Sequence, residues 1–416
     1  MINNSISGCP ICSSQNTEII FSLECGNIDN SFLYPEVNLN VCTECGHVFN
    51  KLSQNELDGL YKYYNQEYAP TNIVSKDIQG DRPGSQSKYT FERYSQLYDT
   101  IEPFLTPEVK ILDVGCAMGG FLEFLHQKGF RNLFGVDMTE NYVEQAKNSS
   151  KFTIELGNAD QIPFEDNTFD VVVMEQVLEH VHAPVAVFKE IKRVVKTDGV
   201  FSIGVPDALR YQQSNFFDFY WILLREHIQH FDNVHIKILA ENNGFEVIEN
   251  RETNHFVMSD KMVMPNLYTV LKSVERNKKT DDNTASAFHL IASIQNYLNQ
   301  ERIKLENKRE QIANIIKSKR PVYVWGIGRE FLYLYENAGL KECNIAGLID
   351  RNELKKSTYS INGIKISDEN ILSHSSLDAV LFITAFAHID SISVLAKELG
   401  FKGEVFEFDD SQNYSK

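Results

Sequence analysis

The sequence lacks both a long hydrophobic run and an excess of positive charge. The 40 Lys and Arg residues are outnumbered by 57 Asp and Glu residues, which gives a formal net charge of −17. Nucleic acids and anionic membrane surfaces are bound through a positive field, so this balance argues against both as general partners. Because no apolar run approaches the ~20 residues of a membrane-spanning helix, we also expect no such helix.

The N-terminal segment "MINNSISGCP" has neither a basic start nor an apolar core. We therefore expect no signal peptide and a cytoplasmic protein. An apolar content of 43% with 11% aromatic residues is typical of a folded chain. The length of 416 residues is enough for two or three domains.

Cysteine is scarce and unevenly distributed. Four of the seven cysteines form two C-x-x-C pairs, in the segments "CPIC" and "CTECGH": Cys9, Cys12, Cys42 and Cys45. Each tight turn directs two thiolates at one ion, so the pattern predicts a structural Zn²⁺ site. Disulfides are disfavoured without secretion, and a thioredoxin-like redox pair would not occur twice. Four thiolates leave no open coordination position, so this zinc would stabilise the fold. A hairpin would fill the gap between the pairs, and His47 is interpreted as a surface residue beside the second turn.

A tyrosine-rich segment, "NELDGLYKYYNQEYAP", follows the second cysteine pair. Tyr61, Tyr64 and Tyr68 occur at spacings of three and four, which predicts one face of a helix. Packing is the simpler interpretation of this stripe. The next segment, "IQGDRPGSQSK", is rich in turn-forming residues and predicts a linker or lid.

From residue 89 to about residue 253, strand-like and helix-like segments alternate. The strand candidates are "VKILDVG", "NLFGVDM", "FTIELGN", "FDVVVMEQV", "GVFSIGVP" and "FEVIENRET". This alternation predicts a parallel sheet with helices on both faces, whose ligands bind beyond the carboxyl ends of the strands. "HFVMSDKMVM" adds one further strand, for which an antiparallel direction is considered.

The first strand ends in a glycine-containing turn, "DVGCAMGG". Gly115 and Gly119 allow the backbone close to a ligand, and Ala117 is nearly as small. Asp113 would repel a pyrophosphate, but it suits a ligand that carries a cationic amine or sulfonium. Asp137 ends the second strand, where an acid can bind ribose hydroxyls.

Taken in order, this turn, Asp137, "GNADQIPF" and "FDVVVMEQVLEH" resemble the motifs of class I S-adenosylmethionine-dependent methyltransferases. The resemblance implies S-adenosyl-L-methionine as the cofactor, with Glu175 and Gln176 facing its methionine end. In this family "LEHV" mostly packs, so Glu179 and His180 are left out of the predicted chemistry. The predicted cofactor-binding residues are Asp113, Gly115, Cys116, Ala117, Gly119, Asp137, Met138, Asn158, Ala159, Asp160, Glu175 and Gln176.

The C-terminal part repeats the strand–turn–helix theme after a long helix, "SAFHLIASIQNYLNQERIKLENKREQIANIIKSKR". "VYVWGIGREFLYLYENAGL" predicts a strand, a turn with Gly326 and Gly328, and a helix. A second strand then ends at Asp350. Phe331 occupies the place of the third glycine of a dinucleotide fingerprint. Two interpretations stay open here: a second nucleotide site, or a scaffold that has lost its ligand.

Zinc knuckles, a methyltransferase core and a small Rossmann-like tail in this order resemble the sugar C-methyltransferases of deoxysugar biosynthesis. The resemblance implies an α/β fold in three parts and a small-molecule substrate, a nucleotide-linked keto sugar that the tail helps to hold. The oligomeric state does not follow from it. The predicted parts are a zinc-binding domain at 1–70, a linker or lid at 71–88, a methyltransferase domain at 89–264, a helical connector at 265–319 and a Rossmann-like domain at 320–416.

The segment "REHIQHFDNVHIKILAENNGF" resembles the Glu-His stretch of the same enzymes. The resemblance assigns the catalytic pair to Glu226 and His227. An imidazole with an ordinary pKa of about 6.5 suits removal of a proton beside a ketone. Tyr64 and Tyr68 are further candidates, as is His230, which stands where a tyrosine is more usual. The alternatives are an O- or N-methyltransferase acting on a sugar or related metabolite, and a non-catalytic zinc-bearing interaction protein.

Overall fold

The computed structural model describes residues 8–70, 87–149, 151–214, 220–257, 262–275 and 288–408. The predicted linker or lid therefore lies almost entirely outside the described residues. Backbone contacts divide the chain into two compact units, each assembled from three separate segments. The first unit comprises Met1–Phe21, Asn38–Asn215 and Glu226–Gln295, and the second comprises Ser22–Val37, Phe216–Arg225 and Asn296–Lys416.

A small sheet carries the N-terminal cysteine turns. Its strand order is β1-β2-β3-β9, and its last strand comes from far along the chain. The elements are β1 (Thr17–Glu24), β2 (Glu36–Cys42), β3 (Val48–Asn50), β9 (Gln229–His230) and the following helix α1 (Gln54–Tyr63). α1 begins at Ser53, which forms a capping box with Glu56 and so satisfies two backbone amides of the first turn.

A seven-stranded sheet forms the centre of the first unit, in the order β6-β5-β4-β7-β8-β11-β10. Its strands are β4 (Ile111–Val114), β5 (Leu133–Asp137), β6 (Thr153–Leu156), β7 (Phe169–Glu175), β8 (Val195–Pro206), β10 (Phe245–Phe256) and β11 (Val263–Ser273). The strands from β6 to β8 are parallel, whereas β11 runs antiparallel between β8 and β10. The predicted segment "HFVMSDKMVM" holds only the end of β10 and the start of β11, and its middle lies outside the described residues. The added antiparallel strand is β11, which lies mostly after this segment and includes residues 265–273 of the predicted helical connector.

The connecting helices of this unit are α2 (Lys88–Ile101), α3 (Gly120–Gln127), α4 (Glu140–Ser149), α5 (Pro184–Val194) and α6 (Asn233–Asn242). The burial of the side chains along each strand agrees with the position of that strand in the sheet. The central strand β7 reads FDVVVME and is buried along nearly its whole length, as expected for a parallel strand covered on both faces. β10 instead alternates between exposed and partly buried residues along most of its length, as an antiparallel strand with one solvated face does.

The second unit contains a six-stranded sheet in the order β14-β15-β13-β12-β16-β17. Its strands are β12 (Val322–Trp325), β13 (Ile345–Ile349), β14 (Ser360–Ile361), β15 (Ile364–Ser367), β16 (Val380–Ile383) and β17 (Glu404–Phe406). Its helices are α7 (His289–Ser318), which begins in the first unit, and α8 (Arg329–Asn337), α9 (Glu353–Thr358) and α10 (Ile389–Glu398). The 30-residue α7 confirms the predicted long helix.

The predicted α/β class is confirmed by both large sheets, and so is the Rossmann-like core. In the first unit the strand order reverses between β4 and β7. Ligands of open α/β sheets bind at such a point, beyond the carboxyl ends of the strands. Among the described residues, no helix combines the length and the apolar character that crossing a bilayer requires.

Candidate active site

The turn after β4 has the backbone conformation that the glycine pattern predicts. Gly115 and Gly119 have φ values of +80° and +78°, in the left-handed region that favours glycine. A Cβ at Gly115 would lie only 2.3 Å from a methyl carbon of Val177. Ala117 also has a positive φ, 45°, so the replacement of the usual middle glycine is tolerated at the cost of some backbone strain.

Asp137, at the end of β5, holds this turn in place. Its two carboxylate oxygens accept hydrogen bonds from the backbone amides of Ala117 and Thr139, both at 2.8 Å. Burial raises the pKa of Asp137, and the two amide bonds act in the opposite direction. Each carboxylate oxygen has a second lone pair, so Asp137 can still accept ribose hydroxyl groups.

Asp113 lies beside Asp137 and is almost completely buried. Burial, followed by the negative charge of Asp137, raises the pKa of Asp113 to about 7. A cation bound beside these two acids would favour their ionised forms. The pair therefore has the charge that a cationic ligand requires and that a pyrophosphate would not tolerate.

The other predicted cofactor-binding residues differ in their solvent exposure. Cys116 packs in the core with its sulfur beside Gly135, so only its backbone can meet a ligand. Met138 and Ala159 are half-buried. Asn158 and Asp160 are exposed in the loop after β6, next to a backbone bridge between Asn158 and Gln161.

Glu175 and Gln176 end β7 and begin the next loop. A carboxylate oxygen of Glu175 accepts a hydrogen bond from the Tyr268 hydroxyl at 3.1 Å. Gln176 has a positive φ of 54°, and its side-chain amide donates to Asn266 at 2.8 Å. Both side chains therefore already have partners in the protein.

The four predicted catalytic residues lie in one cluster, which we call the Tyr–His cluster: Tyr64, Tyr68, Glu226 and His227, together with Tyr63, Glu179 and His180. The Tyr63 hydroxyl donates to a carboxylate oxygen of Glu226 at 3.0 Å. The Tyr64 hydroxyl lies 2.9 Å from Nδ1 of His180. The His180 ring meets that of His227 edge-on, with ring centroids 4.8 Å apart.

A π-helix after α1 determines which tyrosine rings contact one another. α1 ends at Tyr63, and the chain continues as a π-helix over Tyr64–Tyr68. This wider turn brings Tyr63, Tyr64 and Tyr68 together, with ring centroids 5.7–6.0 Å apart. The prediction that Tyr61 shares their face was wrong, since its side chain is 47% exposed.

Three members of the Tyr–His cluster are not predicted by the sequence motifs: Tyr63, Glu179 and His180. The segment "LEHV" is typical of packing in this family, and Leu178 does pack in the core. His180, however, is tied to Tyr64 and also lies 2.9 Å from the backbone carbonyl of Glu226 through the same Nδ1. The chain has two Glu-His pairs, at 179–180 and 226–227. This repetition is the feature of the sequence that could have indicated a role for the first pair in the site.

Glu226 and His227 are not on a strand. They lie in a turn and loop before β9. Ile228 donates to the carbonyl of Glu179 at 2.7 Å, so the loop is attached to the segment that follows β7. His227, only 5% exposed, therefore lies beside the carboxyl edge of the central sheet.

The two cysteine turns bring four thiols together. The Sγ atoms of Cys9 and Cys45 are 3.6 Å apart, and those of Cys12 and Cys42 are 3.5 Å apart. All four sulfurs lie within 4.8 Å of one another. Tetrahedral Zn–S bonds of about 2.3 Å would place the sulfurs about 3.8 Å apart, so the donor set fits a zinc ion. These separations are too long for disulfides, and the four cysteines are free thiols.

The segment that forms most of the central sheet is similar to known proteins. Residues 87–250 match a family model described as a methyltransferase domain. Residues 87–250 therefore carry a methyltransferase domain. The cycloartenol-C-24-methyltransferase 1 of Oryza sativa subsp. japonica is 32% identical over 104 residues, which are 23% of this chain and 30% of that protein. The sterol 24-C-methyltransferase ERG6B of Gibberella zeae is 33% identical over 106 residues, which are 24% of this chain and 28% of that protein.

A solved S-adenosylmethionine-dependent methyltransferase of Methanosarcina mazei is also similar. It is 18% identical, with a TM-score of 0.37, and the similarity covers 43% of this chain and 99% of that one. The chain spans less than half the length of the curated relatives that it matches, between 28% and 41% for the first three.

The N-terminal sheet reaches the Glu226–His227 loop of the methyltransferase domain through β3. Val48 and Phe49 pair with His230 and Gln229 of β9. Asn50 donates its side-chain amide to the carbonyl of His227 at 3.2 Å. The strand that follows the second cysteine turn therefore supports the loop that carries His227.

His47 is fully buried, so its prediction as a surface residue was wrong. Its Nε2 lies 2.8 Å from Oε1 of Gln229, and its ring stacks on Phe49. Burial lowers the pKa of His47 well below its ordinary value. His230, the reserve candidate for a base, is buried beside Tyr211, and burial lowers its pKa to about 3.

The second unit repeats the geometry of the β4 turn with one difference. Asp350, at the end of β13, accepts a hydrogen bond from the Ile327 amide at 2.9 Å. Here the ammonium of Lys355 also lies 3.0 Å from the Asp350 carboxylate and donates to the Ile327 carbonyl at 2.6 Å. A lysine thus meets the acid that would otherwise bind a ribose, which favours a scaffold without a nucleotide at this turn.

Proposed function

We propose that the protein is an S-adenosylmethionine-dependent methyltransferase that methylates carbon in a nucleotide-linked keto-deoxysugar. The observation that carries this proposal is the position of His227, buried beside the segment that follows β7 and surrounded by hydroxyl, carboxylate and imidazole groups. A buried imidazole at the carboxyl edge of this sheet is suited to removing a proton next to a bound cofactor.

The cofactor site is proposed at the β4 turn. When bound, S-adenosylmethionine supplies an electrophilic methyl group on a sulfonium. Asp113 provides the negative charge that a cationic ligand needs, and Asp137 accepts its ribose hydroxyls. Asn158 and Asp160 are placed to bond the adenine, and Glu175 and Gln176 face the methionine end.

The acceptor site is proposed at the Tyr–His cluster. A hydrogen on carbon beside a ketone is weakly acidic, so its removal requires a positioned base. His227 accepts this proton, which would leave the substrate carbon nucleophilic toward the methyl group that the bound sulfonium would supply. Glu226, which is oriented by the Tyr63 hydroxyl, bonds a substrate hydroxyl.

Two kinds of support favour a carbon acceptor. The two relatives described above are named as a cycloartenol-C-24-methyltransferase and a sterol 24-C-methyltransferase. The Glu226–His227 pair resembles the catalytic pair of sugar C-methyltransferases, and that resemblance is the basis for the keto sugar. We further propose that Cys9, Cys12, Cys42 and Cys45 hold a structural Zn²⁺ ion.

Deuterium exchange tests the proposal together with methyl transfer. The protein is incubated in D₂O with a nucleotide-linked 4-keto-6-deoxysugar, with and without S-adenosylmethionine, and the sugar is analysed by mass spectrometry and NMR. We expect exchange at the carbon next to the ketone without cofactor, and a new carbon-bound methyl group with it. The corresponding 4-hydroxy sugar is the control and should do neither.

Two results would change the assignment. Methylation of oxygen or nitrogen without exchange of a carbon-bound hydrogen would favour the O- or N-methyltransferase. Failure of the protein to bind S-adenosylmethionine in a calorimeter would contradict the enzyme itself and favour a zinc-bearing interaction protein.

A further inference from the structure

Among the described residues, two groups of side chains bring at least three possible metal-ligand atoms within 4.8 Å of one another. One is the group of four cysteines. The other consists of Glu179, His180 and His227, within the Tyr–His cluster. Nothing in the proposed function requires a metal ion at this second group.

Glu179 is the most unusual member of this group. It is only 1% exposed, and neither of its carboxylate oxygens has a hydrogen-bond partner among the described residues. Nε2 of His180 lies 3.8 Å from Oε1, which is too long for a hydrogen bond. A buried carboxylate without partners is costly unless it is protonated or neutralised by a cation.

The contacts of His180 determine which ring nitrogen is available. Nδ1 lies 2.9 Å from the backbone carbonyl of Glu226 and 2.9 Å from the Tyr64 hydroxyl. A carbonyl oxygen only accepts hydrogen bonds and a hydroxyl oxygen can also accept them, so both contacts are satisfied when Nδ1 is the donor. Nδ1 therefore carries the hydrogen, and in the neutral ring Nε2 keeps its lone pair. That lone pair is on the side of Glu179. An imidazole that donates from one nitrogen to a backbone carbonyl and offers the other is the usual arrangement of a metal-binding histidine.

His227 completes the set. Its ring lies nearly perpendicular to that of His180, at an interplanar angle of 85°. Two imidazoles and one carboxylate, with further positions open, form a donor set that Zn²⁺ and neighbouring transition metals accept.

We propose that Glu179, His180 and His227 form a second, open metal site that binds Zn²⁺ or a similar divalent transition metal. The site itself is independent of the methyltransferase reaction. Its consequence rests on the proposed function: a metal ion on the ring of His227 occupies the nitrogen that accepts the substrate proton, so metal binding inhibits methyl transfer.

Cobalt spectroscopy separates the two sites. Co²⁺ held by four thiolates gives intense sulfur-to-metal charge-transfer bands, whereas Co²⁺ held by two imidazoles and a carboxylate gives only ligand-field bands. We titrate protein that retains its tightly bound zinc with Co²⁺, and expect ligand-field bands without the charge-transfer bands. Glu179→Gln and His180→Asn should each weaken this binding by at least about 100-fold.

His374→Ala, at an exposed position of the second unit, is the matched control and should bind Co²⁺ like the parent. Circular dichroism and retention of the tightly bound zinc show whether each variant is folded. If Glu179→Gln does not fold, Co²⁺ binding by His180→Asn tests the site. Parent-like Co²⁺ binding in both variants, or no ligand-field bands in the parent, would overturn the site.

Inhibition is measured separately. Zn²⁺ beyond the first equivalent should stop methyl transfer by the parent, and a chelator too weak to remove the first equivalent should restore it. Methyl transfer at the full rate with Co²⁺ bound at the second site would overturn the inhibitory role and leave the site intact. A protein that binds Co²⁺ there but transfers no methyl group under any condition would contradict the proposed function alone.

Discussion

Asp137 accepts a hydrogen bond from the backbone amide of Ala117 over 2.8 Å, so the acid at the end of one strand fixes the turn at the end of its neighbour. The second unit uses the same device between Asp350 and Ile327. The difference is that Lys355 lies against Asp350, whereas no such lysine contact is found at Asp137 among the described hydrogen bonds. The carboxylate of Asp137 is therefore the one suited to a ligand.

The first prediction concerns this acid. Asp137→Ala should weaken S-adenosylmethionine binding by roughly 1–3 kcal/mol, because ribose hydroxyls would be left without their acceptor in a buried site. Isothermal titration calorimetry measures the effect. Asp350→Ala removes the same kind of turn contact in the second unit and should leave the affinity unchanged. Equal affinities of parent and Asp137→Ala would show that the ribose binds elsewhere.

Local sequence patterns predicted this part of the site because each of its residues lies at a strand end or a glycine turn. A short run of β-branched and aliphatic residues followed by Asp113 and Gly115 is enough to locate a ligand-binding edge. The same reasoning placed the cysteine pairs, since a C-x-x-C turn is a local structure. These features depend on a few neighbouring residues and not on tertiary contacts.

Other features depended on contacts between distant segments. His47 is buried because β3 pairs with β9, and that pairing is not visible in either segment alone. Tyr63 replaces Tyr61 in the cluster because a π-helix changes the period that an α-helical spacing assumes. The role of His180 could not be predicted because its partners are distant in the sequence: Tyr64 lies 116 residues before it and Glu226 46 residues after it.

The second prediction is a pH dependence. The pKa of Asp113 is raised to about 7, so the carboxyl group is largely protonated at about pH 6 and largely ionised at about pH 8. A cationic ligand favours the ionised form, so affinity for S-adenosylmethionine should increase with pH across this range, by at most about tenfold per unit. Near the lower end of this pH range, calorimetry in buffers of different ionisation enthalpy should also detect the release of a proton from Asp113 when the ligand binds.

Asp113→Asn provides the control for this effect. It removes the titrating group while keeping nearly the same shape, so binding should be weaker and almost independent of pH. A variant that keeps the parent's full pH dependence would assign the titration to another group.

The third prediction concerns the metal. The protein should retain one tightly bound zinc ion per chain after dialysis. Cys42→Ser should lose this ion and unfold the N-terminal sheet, because binding to a structural site supplies folding free energy. Cys343→Ser is the control, since Cys343 is also buried but belongs to neither possible metal group. Metal analysis that finds no zinc in protein purified without a chelator would contradict the site.

The fourth prediction tests the register of the tyrosines. Tyr64→Phe removes the hydroxyl that meets Nδ1 of His180 and should reduce turnover by about 10-fold, the worth of one hydrogen bond of about 1–1.5 kcal/mol. Tyr61→Phe makes the same chemical change at an exposed position and should leave turnover unchanged. If turnover decreased more in Tyr61→Phe than in Tyr64→Phe, the result would contradict the π-helix and favour a regular α-helical register.

The last prediction concerns the base itself. His227→Ala should reduce turnover by roughly 10²–10⁴-fold, the usual contribution of a positioned general base, while affinity for S-adenosylmethionine stays unchanged. Exchange of the substrate carbon-bound hydrogen with D₂O should disappear in the same variant, which separates loss of proton removal from loss of methyl transfer. His374→Ala, at an exposed position, should behave as the parent in both assays. If His227→Ala still exchanged and methylated at the parent rate, the base would be another group of the Tyr–His cluster, and Tyr64 and Tyr68 would be tested next. His230 would follow them, although its low pKa and its contact with Tyr211 make it a poor proton acceptor near neutral pH.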